Sequence, residues 1–451
     1  MTRLQASSTK LIAALLLTLI FVFTQTVAHA AQPNALISQE DSAAEYKQYI
    51  KEKFNVSFNG ASTKGQFIEA VATILSYKPS GKDIAFTDLK ADNKLFPAAA
   101  SLYENGILGG PGVQAEQPLS SIVAVSIAVR AAGLKELAYT YPTDKVALVL
   151  KSINQKNNNL AIKTAQELAA AADAGLIPAE LLSTFQPNKA ADAQLINTLL
   201  GKILVTKGLY KHYIGYVNDA DIFAKLSNAF VTSDIIHAPK LQLLVNTALE
   251  QNLITGYSLK DSRFNPNFIS SLSLIYGHSD LNHAVQLIGL LRSEGLNAKV
   301  QFEPKTSAFI FLKEWGEPGP DVVQIANGNF ISYAKEFDLE FEFSSKEQKA
   351  AFQGAILAYA KKNVKDQSGL IASSWFQPLY YSSTELKDYE VITNNYITDK
   401  DSTFTVNPFS LNEDSAKVVA GFKAIDPNAI VTPYQFWVDK PFFNYLHGEP
   451  L

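Results

Sequence analysis

Three times between Phe86 and Gly277 the chain repeats one plan, and that plan restricts its fold more than any other feature. An alanine- and leucine-rich helix is followed by a Gly or Asn turn, a short loop ending in proline, and a second helix. The segments are Phe86 to Leu134, Leu160 to Leu204 and Ala238 to Gly277. Anchored on Pro118, Pro187 and Pro266, they step by 69 and 79 residues, as suits a repeated supersecondary unit with insertions. Each helix has apolar residues at three-and-four spacing and cannot bury that face alone, so stacking the units would close a common core. Gly106, Gly175 and Asn252 stand where these helices need a left-handed C-terminal cap.

The repeats carry FTD at Phe86 to Asp88, ENGILGG at Glu104 to Gly110, AGLI at Ala174 to Ile177, FQPN at Phe185 to Asn188, LITGY at Leu253 to Tyr257 and RFNPN at Arg263 to Asn267. In this order they resemble the S-layer homology (SLH) module, which runs from F-x-D through a helix, GI-x-G and F-x-P to a second helix opening on a T-R-A-E-like motif. The resemblance implies an all-α, three-repeat half and a cell-wall polymer or peptidoglycan as partner. In that family the motif's arginine helps hold an anionic polymer, by paired, charge-assisted hydrogen bonds. The corresponding positions here are Ser120 and Ser121, Ala190 and Ala191 ahead of Asp192, and Ser270 and Ser271, so the repeats either bind polymer without that arginine or serve as scaffold.

A second unit follows at once. Leu281, Ala284, Val285, Ile288 and Leu291 share a helical face, Gly295 stops the helix, and NAKVQFE continues as a strand. The ending LLRSEGLNAKV, Leu290 to Val300, resembles the core of transglutaminase-like proteins. That resemblance would place the nucleophilic cysteine at Asp280 and a histidine on the strand at Lys305 to Trp315. The chain has no cysteine and that strand no histidine. An aspartate at a helix start suits the free amides and dipole there but is a poor acyl nucleophile without a base or a metal. The segment reads as a fold kept without the chemistry, or as a coincidental helix–glycine–strand unit.

His278, Asp280 and His283 form the densest cluster of acid–base groups and are the catalytic candidates. Histidines five apart on one helix point about 140° from each other, whereas a helical zinc pair needs a spacing of four, so no metal or cofactor is expected. GGPG at Gly109 to Gly112 lacks the lysine and hydroxyl of a phosphate loop and reads as a turn. Trp375, Tyr380 and Tyr381 offer rings for a sugar face, or core. Downstream, KEFDLEFEF alternates like a strand with one wet face, SSKEQKAAFQGAILAYAKKN reads as a serine-capped helix, and DYEVITNNYIT and STFTVNP read as strands.

Arg3 and Lys10, the run LIAALLLTLIFVF and the small-x-small site at Ala28 to Ala30 read as a secretory signal peptide. No later run is long and apolar enough to span a bilayer once it is removed. Losing Arg3 and Lys10 leaves 37 basic against 43 acidic side chains and moves the net charge from -4 to -6, which argues against nucleic acid as a partner. Export without cysteine suits a Gram-positive surface and excludes thiol catalysis.

The expected class is therefore α+β. A signal peptide covers residues 1–30, a linker or helix 31–62, SLH-like helical repeats 63–279, and a mixed α+β domain 280–451. Linkers are expected at Gln32 to Ser42, Asn154 to Asn159 and Glu314 to Asp321. The implied role is a secreted, envelope-associated and non-catalytic one. The alternative is an extracellular hydrolase or transferase working through Asp280 with His278 or His283.

Overall fold

The computed structural model describes residues 42–153, 160–319, 322–359 and 380–449. Its N-terminal part is a helical array: α1 Ala43–Phe54, α2 Lys64–Ile74, α3 Phe96–Glu104, α4 Ser121–Ala131, α5 Lys135–Tyr139, α6 Thr143–Ser152, α7 Ile162–Asp173, α8 Ala179–Leu182 and α9 Ala193–Thr206. Local signals set the boundaries. Capping boxes Ser42/Glu45 and Thr63/Gln66 open α1 and α2, and the Asp192 carboxylate accepts from Leu195 N to open α9. Gly106 and Gly175 take φ of 68° and 65° and end their helices as the turn pattern predicts. The apolar faces meet in one core that includes Tyr46, Phe67, Val125, Leu168 and Leu199.

The remainder is built on ten antiparallel strands: β1 Gly215–Tyr216, β2 Gly256–Asp261, β3 Ser273–His278, β4 Ala298–Ile310, β5 Val322–Gln324, β6 Phe330–Phe343, β7 Tyr380–Ser382, β8 Glu390–Thr398, β9 Phe404–Ser410 and β10 Ile430–Val438. Their order is β1-β4-β2-β9-β8-β10-β7-β3-β6-β5, and a further pairing of β4 with β6 closes eight of them into a barrel. The closing ladder is long, from Ala298 opposite Phe343 to Ile310 opposite Ile331. Strands β1 and β5 lie beside the ring, on β4 and β6.

The outer wall is helical: α10 Ile222–Val231, α11 Pro239–Glu250, α12 Leu281–Ser293, α13 Lys346–Tyr359 and α14 Ser415–Ile425. The segment β3-α12-β4-β6-α13-β7 lies in spatial order β7-β3-β6-β4, the β-α-β-β-α-β arrangement called ferredoxin-like. The other half shows the same four-strand order, β10-β8-β9-β2, with its α11–β2 piece placed ahead of the first half in sequence. Alternate residues of β4 and β6, such as Val300, Phe302, Leu339 and Phe341, face outward onto α10, α12 and α13. A second outer core joins α11 and α14 to Leu259 and Val406. The final helix, α15 Lys440–Leu446, closes one barrel end, where the Tyr445 hydroxyl donates to Ile310 O at 3.0 Å.

This architecture corrects the expected one. The third helical repeat is not a repeat: α11 forms, but Gly256 to Asp261 and Ser273 to His278 are barrel strands, so the all-α half does not extend to Gly277. Tyr257 and Leu259 alternate with Ser258 and Lys260, a period of two that short apolar runs do not separate from helix by pattern alone. The region expected as a mixed α+β domain from 280 is a closed barrel wrapped by helices, and its strands begin ahead of that boundary, with β1, β2 and β3. The helix–glycine–strand unit forms, with α12, Gly295 at φ 68° and β4, but Val285 of the expected apolar face is exposed and Leu287 is buried with Ala284, Ile288 and Leu291.

The helical repeat also has a different register from the proline anchors. Leu119 N donates to Ser62 O as Ala191 N donates to Leu119 O, and Lys64 N donates to Gln117 O as Ser121 N donates to Lys189 O. Short bridges join Thr63 to Pro118 and Ser120 to Ala190. The equivalent positions are therefore 62, 119 and 191, and the helices they open are α2, α4 and α9.

Candidate functional site

Three places concentrate polar side chains. The first is where the starts of α2, α4 and α9 sit side by side. Ser120 stands at the N-cap of α4 without a side-chain capping bond, while the Ser121 hydroxyl donates to Lys189 O and Asp192 caps α9, so the latter two serve the local backbone. Ser270 and Ser271 lie elsewhere, in a short 3-10 turn against Glu52 of α1, with Ser270 N donating to Glu52 Oε1 at 2.9 Å. The residue that stands out is Lys64, half-buried in the first turn of α2. Burial holds its ammonium pKa below the ordinary lysine value, against the pull of Asp88; Arg130 adds to the lowering. Arg130 crosses from α4, donating through Nε to buried Glu167 at 2.7 Å and through Nη1 to Ile107 O at 3.4 Å. A Cβ on Gly109 would lie 2.8 Å from Arg130 Nη1, so only glycine fits there without a shift. Asp88 ties the loop down by accepting from Val113 N and Gln114 N, each at 2.7 Å.

The second place is the start of α12, where the structure brings together what helical geometry kept apart. His278 is the last residue of β3 and not part of the helix, so its ring meets that of His283 at a centroid distance of 4.5 Å. Asp280 N donates to His278 Nδ1 at 2.7 Å, which leaves the proton on Nε2, facing His283 Nδ1 at 3.2 Å. Asp280 caps Asn282 N at 2.8 Å and lies 4.0 Å from His283 Nε2. Burial lowers the His283 pKa and Asp280 partly offsets it. The trio forms a relay of caps at a helix start. Among the described residues no group of three or more His, Cys, Asp or Glu side chains is placed to hold a metal ion.

The third place is the barrel lumen, and sequence reasoning missed it. On the inward face of β4 and β6, Lys299, Glu303, Lys305, Glu336, Asp338, Glu340 and Glu342 are buried. Lys260 Nζ meets Glu303 Oε2 at 2.5 Å and Asp338 Oδ2 at 2.6 Å, while Lys305 Nζ meets Asp338 Oδ1 at 2.8 Å. Tyr381 also donates to Asp338 Oδ2, at 2.5 Å. Burial, then the neighbouring Glu303, pushes the Glu340 pKa well above the ordinary carboxylate range. Of the three aromatic candidates, Tyr381 points into this lumen, Tyr380 points outward into the core beside Tyr276 and Phe352, and Trp375 lies outside the described residues. The signal is in KEFDLEFEF, whose alternation is the same whether its wet face meets solvent or an enclosed lumen.

One further lysine is buried without a carboxylate partner in hydrogen-bond range. Lys349 of α13 donates to Thr384 Oγ1 at 2.9 Å, to Ser382 Oγ at 3.0 Å and to Ser270 O at 3.4 Å, and burial lowers its pKa to about 8. Ser382 is itself fully enclosed, so this trio joins α13 to the β7 region and offers no substrate access.

No helix among the described residues is long and apolar enough to cross a membrane. The proposed signal peptide lies outside those residues. No protein-family model matches the chain, and no curated protein matches it significantly.

Proposed function

We propose that the protein is a secreted, non-catalytic component of a Gram-positive envelope, holding an anionic wall polymer at the start of α2 and displaying the barrel. The observation that carries this reading is Lys64. Thr63-Lys64-Gly65-Gln66 opens α2 in the form of the T-R-A-E-like motif, with lysine in the arginine place, and its structural equivalents are Ser121 and Ala193. One of three helix starts thus keeps a cation, with Arg130 close enough to add a second.

The test is cosedimentation of residues 31–451 with cell walls that retain or lack their secondary polymer. Polymer-dependent retention is expected, lost in K64E, kept in K64R and strengthened in S121R. Equal retention on stripped walls, or a K64E chain that behaves like the parent, would remove the reading.

The alternative, a hydrolase or transferase at Asp280, has one observation in its favour, the imidazole contact between His278 and His283. It requires wall or peptide turnover that disappears in H283A.

A further inference from the structure

The lumen ion pairs fill only part of the barrel. Toward α15 lies a cavity of about 70 Å³ bounded by β2, β7, β8, β9 and β10. Its walls carry Ser258, Asn394 and Asn407 on one side and the rings of Phe409, Tyr434 and Phe436 on the other. Lys260 and Lys305 reach its floor with their charges already met by Glu303 and Asp338.

One atom in this wall is unsatisfied. Asn394 is 4% exposed, and its Oδ1 has no protein partner. The amides form a chain of contacts: Asn407 Nδ2 donates to Ser258 O at 3.4 Å, with Asn407 Oδ1 toward Asn394. Asn394 Nδ2 then donates to Asn407 Oδ1 and to the Tyr434 hydroxyl, each at 2.8 Å. Oδ1 is thereby left as a buried acceptor, a costly state unless a donor arrives. The cavity reaches the surface beside Ser383 and Tyr434, the latter 45% exposed.

We infer that this barrel mouth binds a neutral, hydroxyl-rich group, a small polyol or the sugar end of a glycan, which donates a hydroxyl to Asn394 Oδ1. Compensated lysines and carboxylates on the floor disfavour a net charge of either sign. The ring wall, with Phe409 and Phe436 centroids 5.6 Å apart and Tyr381 5.8 Å from Phe436, presents an apolar face to the C–H side of such a group. At about 30 Å³ per water, the space holds an end-group of a few heavy atoms and leaves the rest of a larger ligand at the mouth. The inference is independent of polymer binding at Lys64.

The experiment is saturation-transfer NMR on residues 31–451 with glycerol, N-acetylglucosamine and a chitin oligosaccharide as separate probes. Binding of at least one is expected, about tenfold weaker in a folded N394L, where the acceptor is lost. Y434F keeps the ring and removes the hydroxyl that accepts from Asn394 Nδ2, and decides the matter if N394L does not fold; it too is expected to weaken binding. Binding of glycerol alone would identify a free polyol, and preference for the oligosaccharide a glycan end. No transfer to any probe, or transfer unaffected in Y434F and in a folded N394L, would overturn the inference and leave Asn394 as a water site.

Discussion

Asp338 is the residue on which the lumen turns. It is fully buried, and it accepts from Lys260, Lys305 and Tyr381. Burial alone would raise its pKa, but the two ammonium groups hold it at about 2. A depressed folded pKa contributes stability above the ordinary value of 3.8, lost as pH falls toward about 2. Glu340 works in the opposite sense. Its raised folded pKa means that the native state keeps a proton the unfolded chain releases, so its contribution is complete below 4.5 and declines as pH rises through the folded value. We expect E340Q to flatten the loss of stability on the alkaline side, read as urea midpoints from about pH 5 to about pH 8; a slope as steep as the parent's would refute the assignment. D338N leaves two buried ammonium groups short of a carboxylate and should cost about 3–5 kcal/mol in the same assay.

At the scale of elements, close approach is bought with glycine. A Cβ on Gly201 of α9 would sit 2.1 Å from the Tyr46 ring, so α1 rests on α9 only because that side chain is absent. Tyr46 and Tyr49 then both meet Tyr210, with ring centroids 5.2 and 4.6 Å apart. G201A should destabilise by about 1–3 kcal/mol and raise hydrogen exchange in Ala43–Phe54 first; uniform exchange across the array would contradict that local account. Gly256 does the same between β2 and β4, where a Cβ would lie 2.9 Å from Ala308 O.

For the whole molecule, the decisive contacts are those between the array and the barrel. Lys211, in the connection after α9, pairs with Glu342 of β6, whose Oε2 also accepts from Ile269 N at 2.6 Å. Lys299 of β4 reaches Glu45 of α1 at 2.8 Å, and Ile269 and Leu272 bury in the array's own core. Both members of the Lys211 pair are buried, so removing one leaves an uncompensated charge. K211M or E342Q alone should cost about 3–5 kcal/mol, and the double variant clearly less than their sum. Additive losses would mean that the pair does not couple the two parts.

Much of the element level was legible. The caps at Gly106, Gly175 and Asn252, the α12–Gly295–β4 unit and the strands β6, β8 and β9 follow from periodicity and turn chemistry, which act over a few residues. The same local logic placed Glu336, Asp338, Glu340 and Glu342 on one face of β6. It left open whether that face meets solvent or an enclosed lumen, because alternation is identical in both. It also merged α11 with strands β2 and β3, and spaced the repeats by their prolines. What settled these points is pairing between segments far apart in the chain, β4 with β6 and β2 with β9, and the contact of Ser62 with Leu119 and Leu119 with Ala191. Chain-local preferences determined which elements form and which residues share a face. Closure of the sheet alone decided which face is inside, and therefore that the charged one became the barrel's interior.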